Sequence, residues 1–135
     1  MNPDLLLHES LGAGLPAGTV QVTLFVPSVD RDGQPIGQTE WREEALRVFG
    51  RLFRGATAFP SGRGVWRDDE RGGELVFDDT VLVTSYVDPE VLDDARLRDL
   101  RDFLHRLGRD GRQGEVGVVV GSNYYGITEF DHEGH

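Results

Sequence analysis

The residues most able to do chemistry in this sequence are tyrosines, carboxylates and arginines, because several common reactive groups are missing. The chain has no cysteine, which excludes thiolate nucleophiles, disulfides and Cys-ligated zinc. All 14 basic residues are arginine, which excludes a Schiff-base lysine and a P-loop lysine. No serine lies in a G-x-S-x-G nucleophile elbow. Any catalysis therefore needs a different set, and the candidates are Tyr86, Glu115, Asn123, Tyr124 and Arg63.

A positive island lies between residues 45 and 67 of a chain whose net charge is −10. Its first three arginines recur at spacings of four and three residues, as on one stripe of a helix. Guanidinium groups bind carboxylates and phosphates bidentately, so the island is a candidate site for a small anionic ligand. The alternative is that these arginines offset a helix dipole and pair with the acidic residues 68–70. The island consists of Arg47, Arg51, Arg54, Arg63 and Arg67.

The patterns that would indicate a metal site are incomplete. Asp30 and Asp32 precede Gly33 as in a calcium loop, but the glycine falls at the fourth position and the twelfth is not glutamate. His132 and His135 could hold a divalent ion if the chain end were helical, but a frayed tail is the interpretation we favour. We therefore expect no metal and no cofactor.

A strand and a helix are predicted in the first half of the chain. Residues 19–26 alternate between apolar and mostly polar side chains, as in a half-buried strand. Thr39 is a good N-cap and Gly55 stands where a C-cap glycine belongs, so a helix is predicted between them. Its apolar residues, from Trp41 to Phe53, follow helical spacing.

Four strands and one helix are predicted after residue 56. Pro60 indicates an edge strand or a bulge, because proline cannot donate to a strand ladder. The two aspartates at 78–79 predict a bulge or an exposed start of their strand. Gly108 is predicted to be the first residue after the helix at 93–107. The predicted elements are strands at 57–66 and 75–87, a helix at 93–107, a strand at 115–120 and a short return strand at 124–130.

This order of elements resembles the ferredoxin-like βαββαβ plait, an α+β fold with an antiparallel sheet and two helices on one face. The chain also resembles small uncharacterised bacterial proteins, with Phe-Gly at 49–50 and Gly-Ala-Thr at 55–57 before Gly-x-Trp at 64–66. The resemblance implies a fold and no particular activity. We expect an N-terminal arm at 1–18, a single domain with a short C-terminal strand at 19–130, and a flexible tail at 131–135.

The sheet face that the helices leave open is where function is expected. Its mixture of aromatic, aliphatic and polar side chains is too apolar for a wet surface and too polar for a core. It is a dimer interface, a ligand floor or a solvated sheet, and a bulge in the third strand would reverse which of that strand's side chains lie on it. By alternation the face carries Gln21, Thr23, Phe25, Leu82, Thr84, Tyr86 and Val119.

The leading functional hypothesis is a small acidic cytoplasmic interaction module, dimeric through the open face. A basic protein partner would bind the acidic stretch at 88–102. The negative charge argues against nucleic-acid binding, and no apolar run is long enough to span a membrane. The alternative is a cofactor-free small-molecule enzyme, such as an isomerase, lyase or monooxygenase-like protein, with a cleft between the open face and the arm. A third possibility is an anion sensor that uses the arginine island.

Overall fold

The computed structural model, which describes residues 3–132, is organised around a five-stranded antiparallel sheet. Its strands are β1 (Val20–Val26), β2 (Thr57–Asp68), β3 (Glu74–Val87), β4 (Val116–Val120) and β5 (Asn123–Ile127). They lie in the order β2-β3-β1-β4-β5. The first four have the strand order of a ferredoxin-like plait, which confirms the predicted fold. The fifth extends the sheet beyond β4.

The α-helices are α1 (Pro3–Leu11), α2 (Gln38–Phe53) and α3 (Asp94–Asp110), and α2 and α3 cover one face of the sheet. Every second residue of β1 points to this face, so Val22, Leu24 and Val26 are fully buried against the helices. Helix α1 lies within the predicted N-terminal arm, for which no helix was predicted. Within residues 3–132 no helix is both long and apolar enough to cross a bilayer.

The ends of α2 differ from the prediction. The N-cap is Gly37 rather than Thr39, and the Glu40 side chain folds over it, so that a Cβ at Gly37 would lie 2.6 Å from Glu40 Oε2. At the other end Arg54, rather than Gly55, has the left-handed conformation, with φ of 74°. Its N–H donates to the carbonyl of Gly50 and closes the helix. The next carbonyl, of Gly55, accepts from β3, so tertiary contacts position this helix end.

Helix α3 begins as predicted and ends later. The carboxylate of Asp93 accepts from the Arg96 N–H at 2.9 Å, so Asp93 is the N-cap. Gly108 does not end the helix, which continues to Asp110. The Phe130 ring occupies the place where a side chain at Gly108 would lie. This glycine therefore serves a packing contact and not a helix terminus.

A bulge lies in β2 at Pro60, as predicted, and the alternative of a bulge at 78–79 in β3 is wrong. Phe59 pairs with Leu82 and Gly62 with Thr80, so β2 has one more residue than β3 in this interval. Pro60 falls within the bulge, where its missing N–H does not interrupt the ladder. Because β3 itself is regular, its side chains keep the alternation expected for the open face. Beyond the bulge the two strands continue as a ribbon, defined as residues 62–68 and 74–80.

A C-terminal strap, defined as residues 128–132, packs on the outer side of α3. The Asp131 N–H donates to His105 Nδ1 at 2.7 Å, and the Asp131 carboxylate pairs with Arg101. The Phe130 ring meets the His105 ring edge-on, with 6.0 Å between centroids. The start of the predicted tail is therefore bound to α3, whereas His135 lies outside the described residues.

Candidate functional site

The sheet face opposite α2 and α3 has a polar centre. One rung of the ladder crosses all five strands through Thr57, Thr84, Thr23, Val119 and Tyr124. The hydroxyls of Thr23 and Thr84 lie 3.0 Å apart and both residues are buried. The amide of Gln21 donates to Thr23 Oγ1 at 3.0 Å. These side chains are thus held by one another before any ligand binds.

Tyr124 and Glu115 form a hydrogen-bonded pair at one side of this face. Tyr124 Oη donates to Glu115 Oε2 at 2.6 Å. Burial of the phenol raises the pKa of Tyr124 to about 12, and the hydrogen bond to Glu115 and its negative charge act in the same direction. Although Tyr124 is 55% exposed as a whole, its hydroxyl end is turned onto the sheet. Tyr124 is therefore a neutral donor at physiological pH.

Two paired glycines form the floor beneath this pair. Gly117 and Gly126 are directly opposite each other in β4 and β5. A Cβ at Gly117 would lie 2.5 Å from Tyr124 Oη, and a Cβ at Gly126 would lie 2.5 Å from Glu115 Oε1. The phenol and the carboxylate can lie flat on the sheet only because both side chains are missing.

Aromatic rings extend the site toward the centre of the sheet. The Phe25 ring is tilted by 53° to the Tyr124 ring, with 6.2 Å between centroids. The face therefore combines an aromatic surface, a phenol donor, a carboxylate acceptor and a row of hydroxyls. Such a surface can bind a polar organic molecule, and its rings attract cations. Among residues 3–132 no group of three or more His, Cys, Asp or Glu is placed to hold a metal ion.

The structure brings together only part of the predicted catalytic set. Glu115 and Tyr124 are in contact, and Tyr86 is on the same face, 67% exposed, opposite Gln21. Asn123 pairs with Val120 at the turn between β4 and β5, and the register places it on the helix side. Arg63 lies on the ribbon, where its guanidinium stacks on Phe77 at 4.9 Å. Neither Asn123 nor Arg63 belongs to the Tyr124 site.

The predicted dimer-interface residues all lie on the open face. Leu82, Thr84 and Tyr86 of β3 pair with Phe25, Thr23 and Gln21 of β1, and Val119 pairs with Thr23. Their placement follows the predicted alternation. Whether a second copy covers them stays a prediction.

The arginine island is divided between two elements. On α2, Arg47 pairs with Glu44 at 3.3 Å. On the ribbon, Arg63 pairs with Asp79 at 3.3 Å and Arg67 with Asp69 at 2.5 Å. Arg51 lines a groove of about 420 Å³ between α2, α3 and the strap, in which acidic side chains of α3 also lie. Anion binding by the island stays a prediction.

Sequence reasoning missed the glycine floor and the strap. A glycine within a strand marks a close approach of other groups, so Gly117 and Gly126 carried a usable signal. Their pairing depends on the register between β4 and β5, which the return strand predicted at 124–130 left open. Phe130 carried no comparable signal, because its partner Gly108 lies in another element.

Comparisons with known proteins show the fold. No family model matches the sequence, and no curated protein matches it. A phage SAM lyase in complex with S-methyl-5'-thioadenosine has a similar structure, with 21% identity and a TM-score of 0.62 over 86% of this chain and 94% of that chain. A phage SAM lyase in the apo state is similar over 89% of this chain and 97% of that chain, with 20% identity and a TM-score of 0.59.

The leading functional prediction, an acidic interaction module, is wrong. Two solved structures that match this chain almost from end to end are described as SAM lyases, and one of them is a complex with a small molecule. This finding agrees better with the alternative made from the sequence, a small-molecule enzyme with its site on the open face.

Proposed function

We propose that this chain is a lyase that cleaves S-adenosylmethionine and releases S-methyl-5'-thioadenosine, with the open sheet face as the substrate floor. The observation that carries the proposal is the nearly complete overlap with a SAM lyase that holds S-methyl-5'-thioadenosine. The surface around Tyr124 also supports the proposal, because its aromatic rings and hydrogen-bonding groups can bind such a substrate. The proposal keeps the cytoplasmic location expected from the sequence.

The aromatic rings suit the charge change in this reaction. S-adenosylmethionine is a sulfonium cation, and its cleavage breaks the bond between the sulfur and the four-carbon amino acid chain. The bonding electrons stay on the sulfur of S-methyl-5'-thioadenosine as a neutral thioether, while the carbon bonds to the carboxylate oxygen of the same amino acid chain, so that the second product is a lactone and no other reactant is consumed. A site that excludes water favours loss of this charge, because the cation loses hydration while the neutral product loses little. Phe25 and Tyr124 provide faces that attract a sulfonium without offering it a full negative charge.

The charge of Glu115 suits it to bind substrate hydroxyls or an ammonium group rather than the sulfonium sulfur. A carboxylate beside the sulfonium would stabilise the charged substrate more than the transition state, and so would slow the cleavage. Tyr124 holds Glu115 in place through the 2.6 Å hydrogen bond. The net charge of −10 also favours the encounter with a cationic substrate.

The test is incubation of the purified protein with S-adenosylmethionine, followed by chromatography for S-methyl-5'-thioadenosine. Glu115→Gln is expected to lower kcat/KM by at least about tenfold, because the amide cannot accept as the carboxylate does. Tyr124→Phe is expected to have a smaller effect in the same direction. The matched control is Tyr125→Phe, since Tyr125 is similarly exposed but lies on the other side of β5. Absence of S-methyl-5'-thioadenosine with the unmodified protein would refute the proposal.

A further inference from the structure

A buried histidine holds the C-terminal strap against α3. The His105 side chain is buried, and its Nδ1 accepts a hydrogen bond from the main-chain N–H of Asp131 at 2.7 Å. A ring nitrogen that accepts a hydrogen bond carries no proton, so His105 is the neutral tautomer with its proton on Nε2. The strap is therefore bound to a group that can take up a second proton.

Protonation of His105 removes this hydrogen bond. The imidazolium ion carries a proton on both nitrogens and can only donate, so its Nδ1–H would point at the Asp131 N–H. The Asp131 carboxylate lies 3.8 Å from Nδ1, but Arg101 already holds it. It can accept from Nδ1 only if the strap turns, and such a turn also withdraws the main-chain N–H. In either case the hydrogen bond between His105 and the strap is lost.

The charges around His105 balance one another. The charged and titratable groups beside it are Arg101, Asp102 and Arg109, one turn away on α3, Arg51 of α2, and Glu129, Asp131 and His132 of the strap. Three arginines are thus opposed by three carboxylates, so the surrounding charge does not decide the protonation state. Burial of the ring and its hydrogen bond to the strap remain, and both belong to the neutral form. The bound strap therefore goes with a neutral imidazole.

The strap continues β5, the strand that carries Tyr124. Strand β5 lies at the edge of the sheet, so its ladder in the described residues is with β4 alone. The strap begins directly after Ile127, the last residue of β5, and joins that end of the strand to α3 through Phe130 and Asp131. When the strap is detached, this end of β5 loses its connection to the helix layer.

We propose that proton uptake by His105 releases the strap from α3 and loosens the adjoining strand β5 on the open face. The strap is bound above the pH range in which histidine titrates, and it is released as the pH falls through that range. Because the bound Phe130 ring covers Gly108, release also uncovers apolar surface of α3. The order of the Tyr124 side of the open face thus depends on pH without any ligand.

Amide hydrogen exchange followed by NMR tests the release. The protection factor of the Asp131 amide is expected to fall at least about tenfold between about pH 7.5 and about pH 5.5, because its acceptor is lost. The Gly111 amide, which donates to the Leu107 carbonyl at the end of α3, is the internal control and should keep its protection. The nitrogen chemical shifts of the His105 ring report its protonation in the same samples. An Asp131 amide that stays protected while the ring takes up its proton would overturn the proposal, and so would a ring that stays neutral at the lower pH.

Two substitutions separate the effect of the proton from that of the side chain. In His105→Asn the amide oxygen replaces Nδ1 as the acceptor and does not titrate, so Asp131 is expected to be equally protected at both pH values. His132→Gln is the matched control, because it removes the neighbouring histidine of the strap and is expected to keep the full pH dependence. A pH dependence that persists in His105→Asn and disappears in His132→Gln would contradict the role of His105. If His105→Asn does not fold, the ring titration of the unmodified protein still decides.

The effect on the open face has its own measurement. Protection of the β5 amides that pair with β4 is expected to fall in the same pH range, by a smaller factor than for Asp131, because the ladder remains. Loss of protection in the strap with unchanged protection throughout β5 would overturn the link between His105 and the open face. None of these measurements uses S-adenosylmethionine, so their outcome does not depend on the lyase proposal.

Discussion

The two faces of the sheet are built from alternate residues of the same strands and differ in what they contribute. On β1, Leu24 is fully buried under the helices, whereas its neighbours Thr23 and Phe25 belong to the open face. On β4, Val118 is buried in the core, while Gly117 leaves space for Tyr124. The difference shows that stability is concentrated on the helix side. The open face is thus free to carry groups chosen for binding.

Paired phenylalanine substitutions test this division most strongly. Phe49 is fully buried and packs edge-on against Phe53, so Phe49→Ala is expected to lower the free energy of unfolding by about 3–5 kcal/mol. Phe59 is half exposed on the open face, and Phe59→Ala is expected to change it by less than about 1 kcal/mol. Urea unfolding, at a concentration that keeps copies apart, measures both. Similar losses at the two positions would contradict the division.

A pair of helix glycines tests the contacts of the helix side on a smaller scale. In α2 a side chain at Gly50 would meet open space, so Gly50→Ala is expected to stabilise the protein by about 0.5–1 kcal/mol. In α3 a Cβ at Gly108 would overlap the Phe130 ring, so Gly108→Ala is expected to destabilise it by about 1–3 kcal/mol. Thermal melting measures both changes: the melting temperature is expected to rise for Gly50→Ala and to fall for Gly108→Ala. Stabilisation by both substitutions would show that the strap is not seated on α3.

Alkaline titration tests the open face without any substrate. The folded pKa of Tyr124, about 12, lies above its unfolded value of 10.0, so its stabilising contribution is complete below pH 10 and is lost as the pH rises through 12. Glu115→Gln is expected to lower this pKa by removing the negative charge. Gly117→Ala is expected to lower it by lifting the phenol off the sheet. Tyrosinate absorbance, with Tyr124→Phe as reference, measures the effect, and an unchanged titration would contradict the described pair.

The smallest effect is expected at the beginning of α3, far from the open face. The hydrogen bond from the Arg96 N–H holds the pKa of Asp93 below its usual range, and the Arg96 charge adds to this. Because the pKa of Asp93 is lower in the folded than in the unfolded protein, the carboxylate stabilises the fold at neutral pH. This stabilisation is lost as the pH falls through the pKa of Asp93 in the folded protein. Asn at this position keeps the cap but does not titrate. Asp93→Asn should therefore flatten the acid side of a plot of melting temperature against pH. An equally steep acid side would contradict this role of the carboxylate.

The sequence predicted those parts of the fold that depend on local periodicity. Alternation in β1 correctly separated Val22 and Leu24 from Thr23 and Phe25, and the order of elements was enough for the plait. The predicted start of α2 was wrong because the Gln38 side-chain amide donates to main-chain carbonyls of two strands, β1 and β3. Contacts between distant parts of the chain cannot be predicted from the residues next to the helix end. Gly108 was wrongly predicted to end α3 for the same reason, because its contact with Phe130 joins distant parts of the sequence.

The candidate site was predictable only in part. Glu115 and Tyr124 stood out by residue type, but their contact requires Gly117 and Gly126 to be paired across two strands. A register cannot be read from residue types alone. The functional class could not be read from composition either, because acidity and an open face suit an enzyme as well as an interaction module.

The C-terminal strap is the last part of the described chain to leave the ribosome. Until Phe130 emerges, the surface of α3 around Gly108 is uncovered. Until β5 emerges, β4 is an unprotected edge of the sheet. A nascent chain that has already formed α3 therefore still exposes an apolar surface and free backbone groups, the kind of surface that leads to misassembly. Emergence of β5 and the strap from the ribosome, and not formation of the helices, therefore completes the packing of the described residues.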